Sequence, residues 1–262
     1  MKEYRFNRQV NQKIVNGVLQ GYKNYIQERI EKDLQMKISS AYAWVKGNHI
    51  DDQTAVECEE IGINYKKARA GYTWGYLQFI ASNDQSMFII KNNKYFDQDN
   101  FPDGKGVNGK KRSHNDENYL KKLSRINNKV DFPTPLTLLS EENVPHSMSI
   151  LDDAVLKSLE DSDVSNLQEV YNKFYIFTYS LDQANMVSSI KMWMPNPAND
   201  KAYLVEDLTE LIDASSVDIS GIDTSVLEDD QSEFDFDSPA AIEYDIFHEE
   251  DLPSENEGND ER

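Results

Sequence analysis

Between Lys201 and the final residue, Arg262, the chain has no lysine and no arginine. Cysteine is nearly absent too: Cys58 stands alone, which excludes an intrachain disulfide and a thiolate zinc cluster and fits a reducing, cytoplasmic setting. The histidines at 49, 114, 146 and 248 are scattered, none of them three or four residues from another histidine or cysteine. A preformed metal site is therefore not expected, and neither is a cofactor. No run approaches the ~20 apolar residues that span a bilayer. Met1–Arg5 leads into a charged amphipathic stretch rather than an apolar signal core, so neither a membrane segment nor a leader is expected. The acidity of the whole argues against anionic membranes as partners. There is no Gly-x-Ser-x-Gly elbow and no catalytic Cys/His context, so acyl-transfer nucleophiles have no support.

What is present is a charge that falls in steps. Residues 202–262 hold 21 acids against one arginine, a net of −20 that equals the charge of all 262 residues. Residues 1–131 carry 22 cations against 16 acids, and residues 132–201 carry 4 against 10. Three parts follow: a basic half at 1–131, a second half at 132–213 sharing its core, and an acidic tail at 214–262 expected to be disordered.

The body has enough large side chains to fold. Val10, Ile14, Val18, Leu19, Tyr22, Ile26, Ile30 and Leu34 recur every three to four residues with charges between them, which predicts an amphipathic helix over 7–35. Its apolar stripe is expected to pack on a sheet. Ile38–Val45 reads as a strand, and Asp51 and Asp52 read as the cap of a short helix that runs to Ile61 and stops at Gly62. Tyr72–Ile80 and Met87–Ile90 are expected to pair as an antiparallel hairpin across Asn83-Asp84. Residues 92–114 read as a loop, 115–128 as a helix, and Phe132-Pro133-Thr134-Pro135 as a break. Two short helices are expected in 149–160 and 163–173. A second ribbon joins Phe174–Tyr179 to Met186–Met194, and Val205–Ile212 reads as a last helix. The class is α+β, a long N-terminal helix on mainly antiparallel hairpins, because no βαβ repeat is visible.

Several constellations bear on chemistry. Gly104-Lys105-Gly106-Val107-Asn108-Gly109-Lys110 matches seven places of a phosphate-binding loop, but Lys111 stands where a magnesium-binding hydroxyl belongs and no strand leads directly into it. The alternative is a basic finger of Lys105, Lys110, Lys111 and Arg112 on a glycine-rich hinge, suited to phosphates or an acidic partner. His49 with Asp51 and Asp52 could form a base and its orienting carboxylate, although a capping role is the plainer reading. Glu57, Glu59 and Glu60 ahead of Lys66 and Lys67 lack the acid-x-lysine spacing of metal-dependent nucleases. Trp44, Tyr72, Trp74 and Tyr76 could stack bases beside Lys66, Lys67 and Arg69, or fill a core.

The tail interleaves rings with acids: Phe234-Asp235-Phe236-Asp237, then Tyr244-Asp245, Phe247 and Glu249-Glu250-Asp251. A solubilising tail needs no rings. Apolar anchors in an acidic field suit a segment that orders on a basic groove, in a host protein whose nucleic-acid surface the tail imitates or in this chain's own basic half.

The layout of elements, with Ala70-Gly71-Tyr72-Thr73-Trp74, Met87-Phe88-Ile89-Ile90-Lys91 and Phe174-Tyr175-Ile176-Phe177-Thr178-Tyr179, resembles a family of uncharacterised proteins of Gram-positive bacteria and their phages over residues 5–213. The resemblance implies one α+β body in a mobile-element setting and supplies no catalytic residues. The leading expectation is a non-enzymatic, cytoplasmic interaction protein whose tail inhibits a host protein as a DNA mimic. A nucleic-acid binder masked by its own tail is the second expectation. A degenerate nuclease or nucleotide hydrolase using His49, Asp51, Asp52 or the 104–110 loop is the third.

Overall fold

The computed structural model describes residues 1–70, 74–103, 119–133 and 170–227. Arg8–Gln35 forms helix α1, opened by Asn7, whose side chain accepts the amide of Val10. Its 28 residues make it about 42 Å long at 1.5 Å per residue. Ile14, Val18, Leu19, Tyr22 and Ile26 of the predicted stripe are buried, together with Val15 and Tyr25, whereas Leu34 at the end of that stripe is 84% exposed. Lys46–Glu59 forms α2, which folds back along α1. The two axes approach closely because Gly17 and Gly21 lie one turn apart: a Cβ on Gly17 would stand 2.4 Å from Thr54 Cα, and one on Gly21 2.5 Å from Ile50 Cα. Gly62, at φ +74°, turns the chain out of α2.

Six strands follow: β1 Asn64–Ala70, β2 Trp74–Ala81, β3 Ser86–Asn92, β4 Lys173–Leu181, β5 Val187–Pro195 and β6 Ala202–Asp207. They form one sheet in sequence order, antiparallel throughout except that β4 runs parallel to β3. Both halves of the body therefore share a sheet, with the basic half supplying β1–β3 and the second half β4–β6.

The period of two sorts side chains between two cores. Phe79, Phe88, Ile90, Tyr175, Phe177, Ile190, Met192 and Val205 face α1 and α2. Tyr76, Met87, Ile89, Phe174, Ile176 and Trp193 face the other way, under Phe96, Phe101 and the short helix α3, Tyr119–Ser124. Central strands β3 and β4 are buried on both faces, which is why their words read as unbroken apolar runs. Asn127, 1% exposed, pins the turn after α3 to the sheet: its amide donates to Phe174 O at 2.9 Å and Pro195 O at 2.8 Å, and its oxygen accepts Phe174 N at 2.7 Å.

Four expectations need correction. Ile38–Val45 is not a strand: Ser40–Val45 is a 3-10 turn running into α2, held by the Tyr25 hydroxyl on Ala43 O, and an alternation this short cannot separate the two. Asp51 and Asp52 do not cap a helix but lie inside α2, where Asp51 accepts the amide of Leu77 on β2 at 2.9 Å. Val205 belongs to β6 rather than a helix, because Asp207 ends the strand by accepting Thr209 N and only Glu210–Asp213, α4, is helical. The acidic tail does not leave the body at residue 214. Ser215 Oγ donates to Asn16, Asp218 O accepts Lys23 Nζ, and Thr224 Oγ1 donates to Ala184 O, with Val226 and Leu227 buried. Residues 214–227 are a strap laid along α1; their alternation of small polar and β-branched residues packs without a helical period. The helices expected in 149–160 and 163–173 lie outside the described residues.

Candidate functional site

The two edges of the sheet are treated differently. Along β6, Arg5 Nε donates to Val205 O at 3.2 Å, Gln98 O accepts Ala202 N at 2.7 Å, and Glu206 takes Asn11 Nδ2 at 2.9 Å. That edge is occupied. At the other end of the sheet, β1 pairs with β2 alone, from Asn64↔Ile80 to Ala70↔Trp74. Among the described residues no hydrogen bond reaches its outer edge, so alternate N–H and C=O groups face outward over seven residues.

This edge is cationic. No acid occurs from Ile61 to Asn83, while Lys66, Lys67 and Arg69 do. All three are exposed, and none makes a salt bridge among the described residues. The register sets their directions: Tyr65, Lys67 and Arg69 sit opposite Phe79, Leu77 and Gly75, on the side of the helices, whereas Lys66 and Ala68 sit opposite Gln78 and Tyr76 on the other side. Tyr65 is 52% exposed, and Ala68 packs on the Tyr76 cluster. The result is an open strand edge with Lys67 and Arg69 two residues apart on one face and Lys66 beside the partly buried Ala68 on the other.

Several charged groups elsewhere are engaged with the fold. Lys13 Nζ lies 3.0 Å from Glu57 Oε2 and 2.6 Å from Glu60 Oε2, tying α1 to the end of α2. The hydrogen bond from Lys13 holds the Glu60 carboxyl below the usual range. His49 Nε2 lies 3.0 Å from Glu28 Oε2, and Asp51 turns to the Leu77 amide, so the pair does not assemble as a base with its orienting acid. Asp52 is on the exposed face of α2. Glu57 and Glu60 belong to the Lys13 contact rather than to Lys66 and Lys67. Tyr76 is buried, with its hydroxyl accepting Gln78 Nε2 at 2.9 Å and pushed up to about 12 by burial; it is a core group and not a stacking platform. Trp44 is half exposed on the turn before α2. Among the described residues, no group of three or more His, Cys, Asp or Glu side chains is gathered as a metal would need.

No family model, curated protein or solved structure matches this chain.

A cleft of about 560 Å³ opens between Lys121, Arg125, Asn128, Val130 and Phe132 on one wall and Asn196, Pro197 and Ala198 on the other. Lys121 is held there by Pro197 O at 2.9 Å and by Asp200, so its charge is already balanced.

The residues expected to bind partners fall outside the described residues: Phe234, Asp235, Phe236, Asp237, Tyr244, Asp245, Phe247, Glu249, Glu250 and Asp251 in the tail, and Lys105, Lys110, Lys111 and Arg112 in the loop. What the structure adds is the root of the tail and the β1 edge. The edge strand had one legible signal, an acid-free stretch with three cations, but Asn-Tyr-Lys-Lys-Ala-Arg-Ala shows no apolar alternation and so no strand. Among the described residues no helix is long and apolar enough to cross a membrane.

Proposed function

We propose that the protein is a non-enzymatic interaction protein whose acidic, ring-bearing tail binds a basic, nucleic-acid-binding surface of a partner protein as an inhibitor. The supporting observation is the strap: Lys23, Asn16 and Ala184 fasten residues 215–224 to the body, so that 35 residues carrying 15 acids begin at a fixed point after Leu227. Anchoring the root keeps a charged ligand attached to a folded carrier and concentrates it locally. The rings supply burial that charge alone lacks. A cytoplasmic, mobile-element setting belongs to the same proposal and rests on the single cysteine and the family resemblance.

The test is affinity capture from lysate, with and without nuclease, by the full chain and by a chain ending at Leu227, with thermal melting to establish that the shortened body is folded. Capture of a basic protein that survives nuclease and is lost on shortening supports the proposal. Equal capture by both chains refutes it. The second reading, a nucleic-acid binder masked by its tail, is favoured by the unengaged Lys66, Lys67 and Arg69; it requires the shortened chain to bind oligonucleotides more tightly, with a steep salt dependence.

A further inference from the structure

We infer that the outer edge of β1 is a docking site for this chain's own tail, with Glu233–Asp237 added as a seventh strand outside β1, so that the tail is stored in cis until a partner competes for it. The inference rests on the reading of the tail as a carried ligand and adds its regulation.

Backbone complementarity comes first, because β1 offers outward N–H and C=O groups that pair with any extended segment. Side-chain complementarity selects which segment. In an extended Glu233-Phe234-Asp235-Phe236-Asp237 the acids fall on one face and the rings on the other, since the strand period is two. Lys67 and Arg69 occupy one face of β1 at the same two-residue spacing, about 7 Å, so acids at i and i+2 meet cations at i and i+2. The rings then lie over the Lys66 stem and Ala68, extending the apolar margin that Ala68 already shares with Tyr76. The same lysines deter a second copy of β1 from pairing here, since like charges would stand opposite each other.

The geometry permits the reach. Strands β1, β3 and β4 point the same way, so Arg69 at the end of β1 and the β4–β5 turn at Ala184 lie at one end of the sheet. Thr224 is fixed to that turn. At about 4.8 Å per strand, a seventh strand outside β1 is roughly 19–24 Å across from β4 and β5, a span cleared by Asp235, which an extended chain carries about 27 Å from Leu227. From Leu227 the chain reaches about 20 Å by Glu233 and about 34 Å by Asp237. Glu243–Leu252, the second ring-and-acid segment, stays available for a partner.

The test is hydrogen–deuterium exchange on the purified full chain, followed at residues 64–70. In the wild type these amides should exchange at least about tenfold more slowly than in E233Q/D235N/D237N, reflecting a docked fraction above about 90%. K67E/R69E should lose the protection, and K67E/R69E/D235K/D237K should regain it, which separates charge pairing from a general effect on the sheet. The inference is overturned by equal exchange at 64–70 in wild type and E233Q/D235N/D237N, by absence of rescue, or by protection that rises with protein concentration, the mark of pairing between copies. No partner is present in the exchange experiment and no exchange is read in the capture, so failure of this inference and failure of the partner-binding proposal are told apart.

Discussion

Gly17 and Gly21 show how a single atom can decide the packing of the two long elements. In a solvated helix, replacing glycine with alanine gains up to about 1 kcal/mol. Here the new methyl would meet the backbone of Thr54 at 2.4 Å and that of Ile50 at 2.5 Å, and backbone cannot swing aside. Gly17→Ala and Gly21→Ala are each expected to cost about 1–3 kcal/mol, measured by denaturant unfolding; a gain would mean that α1 and α2 are less closely apposed. Cys58 is buried against the same pair of helices, and burial pushes its thiol from the ordinary 9.0 up to about 12. Because the folded value is raised, the neutral thiol favours the fold below pH 9, and that contribution is lost as pH rises towards 12. Native protein at pH 8 should react with iodoacetamide only at the rate of unfolding, whereas immediate labelling would place the sulfur at the surface. These contacts were not legible in advance. The apolar stripe of α1 identifies a buried face, but the alternation of Ile38–Val45 mimics a strand, so the helix that fills that face, Lys46–Glu59, is longer and begins earlier than the sequence indicates.

At the scale of elements, the legible ones were those whose period had a uniform cause. The β2–β3 hairpin and the β4–β5 ribbon announced themselves because strands buried on one or both faces select β-branched and aromatic residues. Strand β1 did not, since an exposed edge asks nothing of its side chains, and β6 was absorbed into the helical pattern of Leu208 and Leu211 that follows it. The strap at 214–227 was hidden by its acids, although Val217, Ile219, Ile222, Val226 and Leu227 recur through it and pack on the α1 side of the sheet. The turn after α3 depends on one side chain. Asn127→Ala removes three buried hydrogen bonds and leaves Phe174 N and two carbonyls without their side-chain partner, so a loss of about 3 kcal/mol or more is expected in thermal or chemical unfolding. An effect below about 1 kcal/mol would show that water replaces the side chain there.

The whole molecule is organised by the separation of its charges. Residues 1–201 balance, residues 202–262 hold the entire net charge, and the open edge of β1 is a cationic strip on the folded part that no salt bridge among the described residues compensates. The charge partition is legible in the sequence; where the cations stand is not, because Lys66, Lys67 and Arg69 acquire a common edge only through the pairing of β1 with β2. An electrostatic association of tail and edge weakens as salt shortens the screening length from about 10 Å at 0.1 M to about 4 Å at 0.5 M. Protection of residues 64–70 in the full chain should therefore fall across that range, while the central strands β3 and β4 hold theirs; salt-independent protection would assign it to the body alone.

The proposed reading makes the tail a ligand whose rings, set in an acidic field, enter a basic groove of a partner. Its most direct measurement compares partner capture by the wild type with capture by a chain in which Phe234, Phe236, Tyr244 and Phe247 are replaced by serine and every acid is kept. Each buried ring contributes about 1.5–3 kcal/mol, so affinity should drop by at least about 100-fold at unchanged charge. Undiminished capture by the ring-free chain would contradict the claim and reduce the tail to its charge.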